Sequence, residues 1–165
     1  MSRRKPEEVF TEEDKRTYTE FCRGLREALE ASGLPESKQR EIYNDIVESE
    51  KNRIATNRLA GRRSAVAKKA DAINDEYKKE TNPRRARQLA KEFNELYAKL
   101  KEVDEERLYF LKEYREKITK ARQADSELTA ALERKGYKDR ENYNDKVRKQ
   151  SSFVKNIHAT KTKNL

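Results

Sequence analysis

Lys51, Arg58, Arg62 and Lys69 stand 7, 4 and 7 residues apart, a spacing that puts all four on one stripe of a continuous α-helix. Arg53, Arg63 and Lys68 lie beside that stripe, and Arg84, Arg85 and Arg87 follow a short break at Thr81-Asn82-Pro83. A row of guanidinium and ammonium groups on a rigid rod neutralises successive phosphates and releases their counterions. The result is salt-dependent binding with little sequence preference. The competing reading is the solvated face of a long helix. The local balance favours phosphate, because residues 51–91 carry 13 basic side chains and only 4 acidic ones.

A second set lies near the C-terminus, where Lys146, Arg148 and Lys149 are interleaved with Tyr137, Tyr143 and Phe153. Aromatic rings among cations can stack on unpaired bases, which suits RNA or single strands better than duplex DNA. The alternative is that Tyr143 and Val147, four residues apart, pack on a neighbouring helix. Within the first set, Asn57-Arg58-Leu59-Ala60-Gly61-Arg62-Arg63-Ser64 resembles part of the basic region of bZIP transcription factors, whose Asn and Arg read the major groove from one helix face. The likeness departs from the family at Ala65, where a second key Arg is expected, and at Asn82-Pro83, which interrupts the helix where a zipper would continue. No residue roles are carried over from it.

Other chemistries find no support. Cys22 and His158 are the only residues of their types, so a zinc site built from a Cys/His cluster is excluded, and no Cys/His pairing reads as nucleophile and base. There is no Gly-rich phosphate loop and no dinucleotide fingerprint. Pairs such as Glu95 with Lys99 and Glu113 with Lys117 are accounted for by i,i+4 helix support. No enzymatic activity, cofactor or metal is expected.

The elements that must position these groups follow from composition and period. Apolar residues make up 33% of the 165 residues and charged ones 43%, against roughly 45–50% and about 25% in ordinary soluble domains. Such a chain can bury a narrow seam between long helices but not a thick core. Four Gly, three Pro and no Trp leave little turn chemistry for a many-stranded sheet. No apolar run is long enough to span a membrane, and no secretory signal is expected. The single Cys excludes an internal disulfide and points to an intracellular, reducing setting: cytoplasm, nucleus or a virion.

Residues 1–10 read as a flexible arm of mixed charge. Thr11-Glu12-Glu13-Asp14 is a helix start, and Gly33 a stop, for a first helix over about 11–32. A second helix is expected from about 37 to 80, carrying Tyr43, Ile46, Val47 and Ile54, then Leu59, Val66, Ala70, Ile73 and Tyr77 after a shift in phase, with a possible bend at Gly61. Pro83 opens a third helix. In it Leu89, Phe93, Leu96, Leu100, Val103, Arg107, Phe110, Tyr114, Lys117, Ala121, Asp125, Leu128 and Leu132 alternate steps of four and three, which is a heptad seam. Gly136 ends it, and residues 136–165 read as a short basic helix and tail.

The fold expected is therefore all-α: an elongated antiparallel helical hairpin, or coiled coil, with its turn near 81–83, an N-terminal helix and a short C-terminal helix. Residues 11–135 form the helical domain. The expected partners are nucleic acid, RNA ahead of DNA, or a nucleoprotein complex, with a second copy or a partner helix along the 89–132 seam. The alternative is a structural scaffold or assembly protein acting through protein–protein contacts.

Overall fold

In the computed structural model, which describes residues 4–137, 90% of the described chain is helical and none of it is strand. Three α-helices carry the fold: α1 (Glu12–Ser32), α2 (Glu36–Lys79) and α3 (Pro83–Arg134), preceded by a 3-10 turn over Pro6–Val9. The expected C-terminal helix and tail, with Lys146, Arg148 and Lys149, lie outside the described residues.

Local chemistry sets each boundary. Thr11 Oγ1 accepts from the Asp14 backbone N–H and Asp14 Oδ2 accepts from the Thr11 N–H, both at 3.1 Å. This reciprocal box, with Glu12, Glu13 and Asp14 over the first turn, satisfies orphan donors at the positive end of the dipole. Gly33 ends α1 at φ +72°, a conformation that costs any residue with a Cβ. At the turn, the Glu80 N–H donates to the Tyr77 carbonyl and Asn82 Oδ1 accepts from the N–H groups of Arg84 and Arg85 at 2.9 and 3.3 Å. Pro83 sits where a missing N–H costs nothing.

The short turn makes α2 and α3 neighbours, and they lie antiparallel. As α2 rises through Lys38, Glu48, Arg63 and Glu76, the ion-pair partners on α3 fall through Glu127, Lys117, Asp104 and Arg85. With 44 and 52 residues at ~1.5 Å each, the two helices are about 66 and 78 Å long. All thirteen four-three positions of α3 are buried or half-buried. Arg107, a charge at one of them, donates to Asp104 Oδ1 from Nε and Nη2 at 3.2 and 3.0 Å, and Asp104 also holds Arg63 of α2 at 2.9 Å. This seam charge is thus neutralised at the helix interface.

Two apolar clusters fill the proximal half. At the base, Phe21, Leu25 and Leu29 of α1 meet Ile42 and Val47 of α2 and Leu128 and Leu132 of α3. Further along, Val9 and Phe10 insert against Ile54, Ala55, Leu59 and Phe110. Here the structure differs from the flexible arm expected at residues 1–10: from residue 4 onward the chain is a strap, with Val9 0% exposed. Its two apolar side chains have a groove to fill, and Arg4 forks onto Glu106 of α3. Between the clusters Asn52 is 1% exposed, its amide donating to the Glu48 carbonyl at 2.9 Å. Neither α1 nor the strap reaches far past Arg62, so among the described residues the distal arm consists of α2 and α3.

That division explains the shift in phase along α2. Its first half is covered from two sides, by α1 and the strap and by α3, whereas its second half is covered by α3 only. Gly61 lies at the changeover inside an uninterrupted helix, and a Cβ built there meets nothing within 4 Å.

Two outcomes follow. Gly61→Ala should stabilise the protein by about 1 kcal/mol, because it raises helix propensity and restricts the unfolded chain without a clash; equilibrium urea unfolding measures it. Phe110→Ala, which empties a site 1% exposed, should cost about 3–5 kcal/mol in the same experiment.

Candidate nucleic-acid interface

The cations singled out by spacing divide into two groups according to what the tertiary fold brings to them. The proximal group meets acceptors from the N-terminal segment. Lys51 Nζ lies 2.9 Å from Glu7 Oε1 and 2.7 Å from Glu48 Oε1. Arg58 forks onto Asp14, with Nε donating to Oδ2 at 2.8 Å and Nη2 to Oδ1 at 3.0 Å. Arg62 Nη2 donates to the Val9 carbonyl at 3.0 Å. Beside them Arg53 forks onto Glu50 of its own helix, and Arg63 pairs with Asp104.

The electrostatics are reciprocal. The Arg58 guanidinium holds the Asp14 carboxyl below the usual carboxylate range, against the upward push of partial burial and with help from Thr11. Burial, the largest single influence, pushes the Glu7 carboxyl up, but the hydrogen bond and charge of Lys51, a backbone N–H and the charge of Lys5 together outweigh it and the net shift is downward. For Lys51, burial pulls the ammonium down while Glu48 and Glu7 carry it above its ordinary value. A shallow pocket of about 250 Å³ opens beside the Asp14 fork, lined by Thr17, Arg53, Ile54 and Asn57 as well as Asp14 and Arg58.

The distal group is arranged differently. Lys68, Lys69, Arg84 and Arg87 are exposed, and no ion pair is formed by their side chains among the described residues. Arg85 spans the hairpin to Glu76 at 3.0 Å. Lys78, Lys79 and Lys91, which the stripe spacing did not single out, are exposed in the same region. Tyr77 and Tyr97 are 45% and 58% exposed, and the Tyr97 ring stacks on Phe93 at 6.2 Å between centroids. Tyr77 was expected on the apolar stripe. Near the turn, however, no third element among the described residues covers that face, and its ring is accessible.

The partners Glu7, Asp14 and the Val9 carbonyl were missed by spacing alone. A coarser signal was present: residues 1–50 carry 13 acidic and 9 basic side chains, the opposite balance to the stretch that they meet. Among the described residues no group of three or more His, Cys, Asp and Glu side chains could hold a metal ion. No helix there is long and apolar enough to cross a membrane.

The Asp14 and Glu7 carboxyls both bind a proton more weakly folded than unfolded. Their contribution to stability is therefore complete above the ordinary carboxylate pKa of about 4 and disappears as pH falls through the lowered values. Asp14→Asn keeps an acceptor for the capping box but loses the charge. It should cost about 1 kcal/mol at pH 7, with the difference in melting temperature from the parent closing as pH drops below about 4. A deficit unchanged at pH 3 would mean that the Arg58 pair contributes nothing.

Comparison with known proteins leaves this geometry to speak for itself: no protein-family model, no curated protein and no solved structure matches the chain.

Proposed function

We propose that the protein is a non-enzymatic, coiled-coil nucleic-acid-binding protein that grips a phosphate backbone, RNA ahead of DNA, with the distal arm of its hairpin as part of a nucleoprotein assembly. The observation that carries this reading is the contrast between the two halves of the molecule. Proximal cations are engaged by carboxylates and a carbonyl, whereas Lys68, Lys69, Arg84 and Arg87 stand exposed without an ion pair among the described residues. Residues 64–91 carry 8 basic and 4 acidic side chains. Solvated cations along both sides of a thin rod can meet phosphates over a length of several nucleotides without rearrangement. Exposed Tyr77 and Tyr97 supply ring faces for unpaired bases, which is the ground for placing RNA first. Of the thirteen cations singled out by spacing, Lys68, Lys69, Arg84 and Arg87 are thus the ones proposed to act as they stand.

A second reading, a scaffold acting through protein–protein contacts, is favoured by one feature of the same arm. Phe93, Leu96, Leu100 and Val103 are only half-buried, so a partner helix or a second copy could complete the seam. The two readings separate by salt. Phosphate contacts weaken steeply with ionic strength, whereas an apolar seam does not.

The test replaces Lys68, Lys69, Arg84 and Arg87 together by Glu. The variant should lose binding to a labelled poly(U) strand in fluorescence anisotropy at about 0.1 M salt while its circular dichroism stays that of the parent, since these side chains hold no part of the fold. Single Gln substitutions should each reduce the slope of log affinity against log salt by roughly 0.7. Binding equal to the parent's would reject the distal arm as the phosphate site.

A further inference from the structure

The N-terminal strap and the first turn of α1 present to α2 the groups that a nucleic-acid backbone would present. Three cations spaced over residues 51–62 lie along about 16 Å of one helix. Each meets an oxygen from residues 7–14: Glu7 Oε1 on Lys51 at 2.9 Å, the Val9 carbonyl on Arg62 at 3.0 Å, and both Asp14 oxygens on Arg58 at 2.8 and 3.0 Å. The fork on Asp14 is the geometry a guanidinium uses on phosphate.

The polar part of this grip is open to exchange. Every pair in it is partly open to solvent, with Arg58 38% and Glu7 41% exposed in their side chains, so it is screened by salt and readily exchanged. Apart from these pairs and Arg4 on Glu106, the strap is held among the described residues by the apolar packing of Val9 and Phe10. By contrast, the seam beneath it runs the length of α3.

We infer that Lys51, Arg58 and Arg62 form a second, latent site for a nucleic-acid backbone, closed in cis by Glu7 and the Val9 carbonyl of the strap and by Asp14 of α1, and opened when a polyanionic strand displaces Glu7 and Asp14. This rests on the nucleic-acid reading above and adds a regulated site to it. The distal arm makes first contact. The strand then extends toward the base by exchanging one set of anions for another, with no change in the helices.

The test uses the full chain with Glu7→Gln and Asp14→Asn together, which remove the competing charges while leaving Val9, Phe10 and the Thr11 cap in place. Affinity for poly(U) should rise roughly ten-fold, and the salt slope should steepen by about 0.7 for each of the two cations released. Adding Lys51→Gln and Arg58→Gln to that variant should return both quantities to parent values. The control Glu30→Gln with Glu36→Gln, the same change in net charge at exposed positions away from the strap, should change affinity less than two-fold. In the parent, amide hydrogen exchange over residues 5–11 should accelerate when poly(U) is bound. The inference is overturned if the strap variant binds like the parent, if the control gains as much, or if residues 5–11 stay protected in the complex. Should the distal Glu variant lose binding while the strap variant gains none, the latent site alone fails. Should neither parent nor strap variant bind poly(U), the nucleic-acid reading fails with it.

Discussion

The antiparallel contact between α2 and α3 is the interaction on which everything else stands. Propensity and i,i+4 pairs supply only tenths of a kcal/mol each, so most of the stability of either helix comes from packing its apolar face on the other. Packed together, they bury Leu59, Val66, Ala70, Leu89 and Phe110 in one line. That line gives the molecule its length and leaves the outward faces free for charge. A globule of the same composition would have to bury charges without partners, at several kcal/mol apiece.

The charges are then divided between holding the fold and facing solvent, and the third layer decides the division. Where α1 and the strap cover the hairpin, acidic groups come within reach of the basic face of α2, and the cations there become fasteners. Where nothing covers it, they remain solvated. The same asymmetry acts on the apolar residues: Tyr18 is drawn between two clusters, whereas Tyr77 and Tyr97, far from any third helix, keep their rings open. One geometric fact, the reach of a 21-residue helix along a hairpin more than twice as long, sorts both kinds of side chain.

Asn52 and the Asp104 pair illustrate how polar groups are accommodated in so thin a structure. The Asn52 amide is satisfied by its own helix through Glu48, so it can lie buried between two apolar clusters without demanding a partner across the interface. Asp104 links Arg63 on α2 to Arg107 on α3. It thereby turns a charge in the seam into a contact that favours one register of the hairpin over its neighbours.

Much of this was written in local sequence. The Thr11 box, the Gly33 stop, the Asn82-Pro83 turn and the four-three repeat of α3 depend on residues within a turn or two of one another, and the structure has them where those signals stand. The antiparallel pairing also followed, because a short turn makes the two helices neighbours and both carry apolar stripes that only side-by-side packing along their length can bury. What local sequence could not contain was the state of each cation. Arg58 and Asp14 are 44 residues apart, Arg62 and Val9 are 53, and Arg4 and Glu106 are 102; their meeting depends on how far α1 folds back and on which groove receives Val9 and Phe10. Helical spacing could show that Lys51, Arg58, Arg62 and Lys69 share a stripe. Only the tertiary structure decided that the first three are occupied and the fourth is open, because ion pairing is settled by proximity in space, and periodicity along one helix carries no information about what another segment lays against it.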